Sequence, residues 1–478
     1  MTKTRSCVMM RKKNHLHQIK EHTMESLSQE HLLPQVETAL LEVLTTQANA
    51  LARPTGFVQR QGKLSGADFV RLLVLGFLHD PQASLEALAQ FGADLDIDIS
   101  AQGLDQRFSV QAATFLSALF EVALTQVVLA DPVAMPLLRR FGAVVLEDST
   151  SIRLPDELAG LFQGCGGHHA GAGTMAACKL HLRLEMLRGQ LSGSSLLDGR
   201  QPDSRTPLAE VPLAARTLTV RDRGYLDTDR WMREAQQEVW ALTYYKAGIK
   251  LFDRQGQPLD LLLELTRIEQ QGEREVLVGA EQRFPMRLLM TRVPQEVAEQ
   301  RREYLRREAL THGRGSSHES ELLAGWTLVL TSVPASLLSL EEAIVLLRLR
   351  WQIELLFKLW KQYGRIDEWR SRNPWRILCE LYAKLIAMLL QHWLLVVGCW
   401  QDPHRSLSKA AKAVRSHANM LAAALVGDLP LPRVLRRIQR AMGRGARLNS
   451  RRDAPNASQL VLDGLKWSQK PLKRKKHR

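Results

Sequence analysis

GAVVLEDST, Gly142 to Thr150, is the stretch on which the fold turns. An apolar, β-branched run closed by acids reads as a buried strand that delivers the Asp148 carboxylate at its end. TLTVRD, Thr217 to Asp222, ends the same way at Asp222. Between them KLHLRLEM alternates, with Leu180, Leu182, Leu184 and Met186 on one face and Lys179, His181, Arg183 and Glu185 on the other. That is the period of a half-buried strand. DTDRWMREAQQ after Asp222 has helical character and leads to the strand-like VWALTYYK. Strand, helix, strand is the unit of an α/β layer, where sites form beyond strand ends.

Outward from this core the pattern changes twice. Residues 1–135 read as a helical N-terminal region: KLSGADFVRLLVLGFL, SLEALAQF and TFLSALFEVALTQVVL carry apolar residues at helical spacing. Within it ISAQGLDQRF follows Ser100, an N-cap candidate, and offers Gln102, Gln106 and Arg107 for base edges or phosphates. Residues 136–248 form the first part of the core and 249–335 a β-rich insertion, with LDLLLELTRI, EVLVGA, MRLLMTRV and WTLVLTSV as strands and EVAEQRREYLRREAL as a helix. Residues 336–400 return to helix, and 401–478 form a helical dimerisation region and basic tail.

Composition excludes several classes. The 478 residues are 45% hydrophobic and 24% charged, which argues against disorder. Five cysteines, an odd and sparse count, argue against a disulfide framework. The N-terminus lacks the apolar run of a secretory signal, and Leu385–Trp400, interrupted by Gln391 and His392, reads as a buried helix rather than a membrane span. The expectation is a cytoplasmic protein. Of the net charge of +15, residues 431–478 contribute +13, from 15 Lys/Arg and two acids. So basic a segment suits a polyanion.

From Ser339 a helical pattern runs through LEEAIVLLRLRWQIELLFKLWKQYG. At about 100° per residue, Arg350, Glu354, Lys358 and Lys361 share an arc of about 80°. A solvated face laced with i,i+4 ion pairs has this pattern. So does a metal-binding glutamate flanked by phosphate-binding cations. Three carboxylates, Asp148, Asp222 and Glu354, beside Arg and Lys match the needs of two Mg²⁺ ions (or Mn²⁺) acting at a phosphodiester.

RWQIELLFKLWK resembles the Tyr-Arg-Glu-Lys signature of bacterial insertion-sequence transposases; Arg350, Glu354 and Lys361 match it in type and spacing, and Leu347 replaces its Tyr. LEDST around Asp148, VRDRGY around Asp222, and FQGCGGHHAGAG followed by KLHLRLEM resemble the other family motifs. The likeness is to the hairpin-forming group called insertion-sequence family four. It implies an RNase H-like α/β catalytic core interrupted by a β-rich insertion, with helical N- and C-terminal regions, acting as a homodimer on terminal inverted repeats and target DNA. It implies metal binding and catalysis by Asp148, Asp222 and Glu354, and DNA-phosphate contacts by Arg350, Lys358 and Lys361. Trp326, in the matching strand, would stack on a flipped base. No nucleotide cofactor or membrane is implied.

Other readings compete. Cys165, His168, Cys178 and His181 are a conceivable zinc set, and Gly164, Gly166, Gly167, Gly171 and Gly173 a phosphate cradle, though they fit no nucleotide fingerprint. The Arg-rich RVLRRIQRAMGRGARLNSRR fits DNA contact, dimer packing or, less well, a membrane surface. An active transposase, a catalytically silent DNA-binding derivative or inhibitor, and an RNase H-like nuclease without end specificity all share the motifs. An intact acid triad favours the first.

Overall fold

The computed structural model describes residues 32–448 except 61, 63, 166–174, 312–314 and 316, together with Val461. The chain divides into two compact units. One holds residues 132–187 and 192–358; the other holds the chain up to Asp131, then 188–191 and 359–448.

The first unit is built on one sheet. Its strands are β1 (Ala143–Leu154), β2 (Ala176–Glu185), β3 (Leu191–Gly193), β4 (Leu197–Asp198), β5 (Thr217–Arg221), β6 (Trp240–Tyr244), β7 (Leu251–Phe252), β8 (Gln271–Val278), β9 (Phe284–Arg292) and β10 (Trp326–Thr331). They run in the order β3-β2-β1-β5-β6-β10-β9-β8-β7, with β4 on β2. β1, β5 and β6 are parallel, with the Thr228–Gln236 helix in the β5–β6 crossover. β2 lies antiparallel to β1. Strands of the 249–335 block are not set apart as their own sheet: β10 pairs antiparallel with β6 and extends it. Trp231 and Tyr245 share a core there with Val278, Leu288 and Leu330.

Two sequence expectations change. LDLLLELTRI does not form a strand but holds a short helix, Leu261–Thr266, capped by Asp260 Oδ1 accepting from the Leu263 amide at 3.1 Å. Leu261 and Leu265, one turn apart, are its buried side. β2 is not half-buried: His181 and Arg183 on its polar face are 0% and 4% exposed, because they enter buried polar clusters.

The second unit is helical, and it draws together what the sequence divides. The Gly66–His79 helix starts with a Ser65/Asp68 capping box, Val110–Thr125 is capped by Ser109, and Ala101–Asp105 by Ser100, as expected. Both longer helices pack on Pro374–Cys399, as does Leu431–Gly445. Pro374–Cys399 is apolar enough to cross a membrane, yet it is buried from Ile377 to Cys399. This burial carries residues from Leu359 onward into the helical unit, so the expected 336–400 segment splits within the Glu354 helix. Gly189 packs its backbone against Trp400; at φ +79° a side chain is strained, and a Cβ would lie 2.6 Å from the indole.

Candidate active site

Asp148 does not end its strand. β1 continues to Leu154 along β2, but its parallel pairing with β5 stops at Glu147↔Arg221. Asp148 therefore sits where one neighbouring strand falls away, and Asp222 follows directly on β5 as the first residue of a turn through Tyr225. The expected helix from Ser339 is broken at Arg350 into Leu340–Leu349 and Trp351–Gly364. Arg350, in that break, reaches both acids: its guanidinium lies 3.4 Å from Asp148 Oδ2 and 2.5 Å from Glu354 Oε1.

Burial pushes the Asp148 carboxyl up to about 6, helped by the negative fields of Glu354 and Asp222 and opposed by the Ser149 amide and Arg350. Asp148 thus lies in the fields of both Glu354 and Asp222, with Arg350 as the opposing charge. Oxygen donors in that condition fit a hard divalent cation. As placed, no three His, Cys, Asp or Glu side chains among the described residues converge as a ready metal cluster; Arg350 bridges two of the acids instead.

Behind the acids lies a charge network that the sequence reading missed. Glu147, fully buried, accepts from Arg230 at 2.7 and 2.9 Å, from Arg183 at 3.1 Å and from Arg221 at 3.2 Å. Arg221 and Arg230 also hold Glu234. Burial alone would raise the Glu147 carboxyl; the three guanidinium groups bring it well below the usual carboxylate range. The signal available in sequence was the pair of charged residues, Glu147 and Arg221, at the inward end of apolar strands.

A second cluster flanks Asp148. Ser149 Oγ donates to Asp203 at 2.8 Å, Lys179 pairs with Asp203 at 3.0 Å, and the His181 ring meets the Tyr225 hydroxyl at 3.1 Å. Burial pushes His181 down to about 4, so its ring is neutral. Asp203 carried no sequence signal, and Tyr225 stood only as the last residue of the VRDRGY motif.

The other expected residues scatter. Lys358 is exposed on the Glu354 helix, which also carries Lys361; Leu347 is buried on the preceding helix. Gln102, Gln106 and Arg107 are exposed in the helical unit. Trp326 opens β10, 9% exposed, with the Arg292 guanidinium over its ring at 4.9 Å. It edges a cavity of about 570 Å³ also lined by Arg223, Tyr244, Arg301 and Tyr304. Of the zinc set, His168 lies outside the described residues; Cys178 and His181, three apart on β2, point to opposite faces, and His181 is engaged by Tyr225. Most of the glycine cradle (Gly166, Gly167, Gly171, Gly173) and the terminal basic tail also lie outside them.

Carboxylates at the edge of a mixed sheet, with a guanidinium between them, suit metal-assisted chemistry on phosphodiesters. The transposase DDE domain family matches residues 139–390, just over half of the chain, a span that contains Asp148, Asp222 and Glu354. The chain is 26% identical over 387 residues to the transposase for insertion sequence element IS231F of Bacillus thuringiensis subsp. israelensis, covering 76% of this chain and 80% of that one. It is 24% identical to the IS1151 transposase of Clostridium perfringens, covering 72% and 76%. To the putative transposase InsL of IS186A in Escherichia coli K12 it is 27% identical, covering 46% and 62%. The chain belongs to the DDE transposase family. Its core is accordingly RNase H-like, and it is an insertion-sequence transposase: an enzyme of metal-dependent DNA cleavage and strand transfer.

Proposed function

We propose that Asp148, Asp222 and Glu354 are the metal-binding and catalytic triad of this transposase, and that it belongs to the Tyr-Arg-Glu-Lys, hairpin-forming group of insertion-sequence family four. The single observation that carries the reading is Arg350 in contact with Asp148 and Glu354 while Asp148 also feels the charge of Asp222. Asp148 on β1 shares a field with Asp222 after β5 and with Glu354 on a distant helix, as a single metal site requires.

Two Mg²⁺ ions, or Mn²⁺, would be held by the three carboxylates and would supply an activated water or 3′-hydroxyl and stabilisation of the leaving oxygen. The chain's own residues do the rest. Asp148 and Asp222 present anionic oxygens from a rigid sheet. Arg350, Lys358 and Lys361 hold flanking phosphates and offset charge that builds in the transition state. Trp326 and its cavity receive a base turned out of the DNA end; Tyr304, 66% exposed, is the more open aromatic surface there. Gln102, Gln106 and Arg107 meet the terminal inverted repeats, and residues 249–335 are the β-rich insertion of the core. The active complex is a homodimer on DNA in the bacterial cytoplasm, associated with the nucleoid.

The test is incubation of purified protein with the DNA flanking its own gene and Mg²⁺, beside Glu354→Ala. Discrete cuts at the element ends, absent in the variant, are expected, with hairpin-ended fragments on denaturing gels. Binding to those ends without cutting would instead support a silent DNA-binding derivative.

A further inference from the structure

The Leu431–Gly445 helix carries five arginines, Arg433, Arg436, Arg437, Arg440 and Arg444, and no acid. All five are exposed. Advancing about 100° per residue places them in an arc of about 100°. Leu431, Val434, Leu435, Ile438 and Met442 fill the opposite side and are buried in the helical unit. Among the described residues none of the five meets a carboxylate. The next arginine along, Arg447, does pair with Asp402 at 3.0 Å. The stripe spans about 16 Å at 1.5 Å per residue.

We propose that this stripe binds the phosphate backbone of duplex DNA without regard to sequence, and so serves to hold target DNA. Several features choose this occupant. Five unpaired guanidinium groups in one line complement a polyanion. The line is long enough to reach both walls of the ~12 Å major groove. Gln439, the amide side chain of this helix, is not part of the stripe and donates to the Val397 carbonyl at 3.2 Å. Guanidinium groups spaced along an exposed face pair with successive phosphates whatever the bases, and such contacts position DNA without reading it. A second copy laid on this face would bring like charges together, which argues against dimer packing here. A membrane surface would need the apolar side, which is already buried.

The proposal rests on the transposase reading only for the word target. The experiment follows the full-length protein on a random-sequence duplex by fluorescence anisotropy across a salt series. It uses Arg433→Gln/Arg436→Gln/Arg440→Gln and, as a charge-keeping control, the same three positions changed to Lys. The Gln variant is expected to lower the slope of log affinity against log salt by about 2 to 3 and to bind roughly tenfold more weakly; the Lys variant keeps the slope. End cleavage by the Gln variant stays intact while strand transfer into target falls. An unchanged slope overturns the proposal. So does loss of the dimer in light scattering, which would make the face an interface between copies, or loss of binding to phosphatidylserine vesicles with DNA binding intact. Absence of end cleavage in the wild type would sink the transposase site reading but leave the salt slope to be judged by itself.

Discussion

Glu147 and Arg221 stand side by side in the parallel β1–β5 pair, and each directly precedes an acid of the proposed triad, Asp148 or Asp222. Side chains alternate along a strand, so the buried ion network and the acids project from opposite faces of one sheet edge. A slip of one residue would bury the acids and expose the network. The ion cluster therefore fixes the register that brings the two acids level.

Replacing Glu147 with Gln leaves three buried guanidinium groups short of a counter-charge. Breaking a buried pair from one side costs about 3–5 kcal/mol. The sheet unit of Glu147→Gln should accordingly unfold at markedly lower urea than wild type, while Glu354→Gln, on a partly exposed helix face, shifts it little. Both should fail to cut DNA. Equal urea midpoints for the two variants would remove the network's role.

Arg350 makes a second prediction. Its contacts to Asp148 and Glu354 neutralise acids that the reading assigns to metal. Losing that guanidinium frees both carboxylates for a cation, so Arg350→Gln without DNA should bind Mn²⁺ several-fold more tightly in a paramagnetic-resonance titration. The same variant should cut DNA more slowly, having lost a phosphate contact. Weaker Mn²⁺ binding would mean that Arg350 arranges the acids for metal rather than standing in for it.

How far the sequence carried this reading varies by level. Strands β1, β2, β5, β6 and β8–β10 and the capped helices were legible because local periodicity and caps determine them. The three acids of the proposed triad stood out in sequence through the apolar runs before Asp148 and Asp222 and the Arg350–Lys361 spacing, although β1 continues past Asp148 to Leu154. What was not legible is non-local. The Glu147 network needs the β1–β5 register, and the burial of His181 and Arg183 needs partners on other elements. The assignment of residues after Leu359 to the helical unit needs the packing around Pro374–Cys399. The break at Arg350 escaped because its backbone stays helical, with only i→i+3 bonds across it.

The cavity beside Trp326 separates two aromatic roles. Trp326 is buried, so Trp326→Ala should cost about 3–5 kcal/mol of stability whatever it does to DNA. Tyr304 is 66% exposed, and Tyr304→Ala should leave the urea midpoint unchanged. If the cavity takes a flipped base, Tyr304→Ala should still weaken its capture by about 1–3 kcal/mol, seen as a smaller fluorescence rise from 2-aminopurine placed at the element end. An identical rise in wild type and variant would take the base out of this cavity.

His392 supplies the pH prediction. It is buried in the Pro374–Cys399 helix, its Nε2 2.8 Å from the Gly189 carbonyl oxygen, so Nε2 carries the proton and donates it. Burial lowers the ring from an ordinary 6.5 to about 4, opposed by that hydrogen bond. The folded state therefore resists a proton that the unfolded chain accepts. Its stabilising contribution is complete above pH 6.5, declines as pH falls towards 4, and levels off below. Between pH 7 and 5 the loss should be on the order of 2 kcal/mol, read as a falling urea midpoint of the helical unit. His392→Gln should remove most of that slope while keeping a donor to Gly189. A slope of unchanged steepness in the variant would assign the acid sensitivity to other groups.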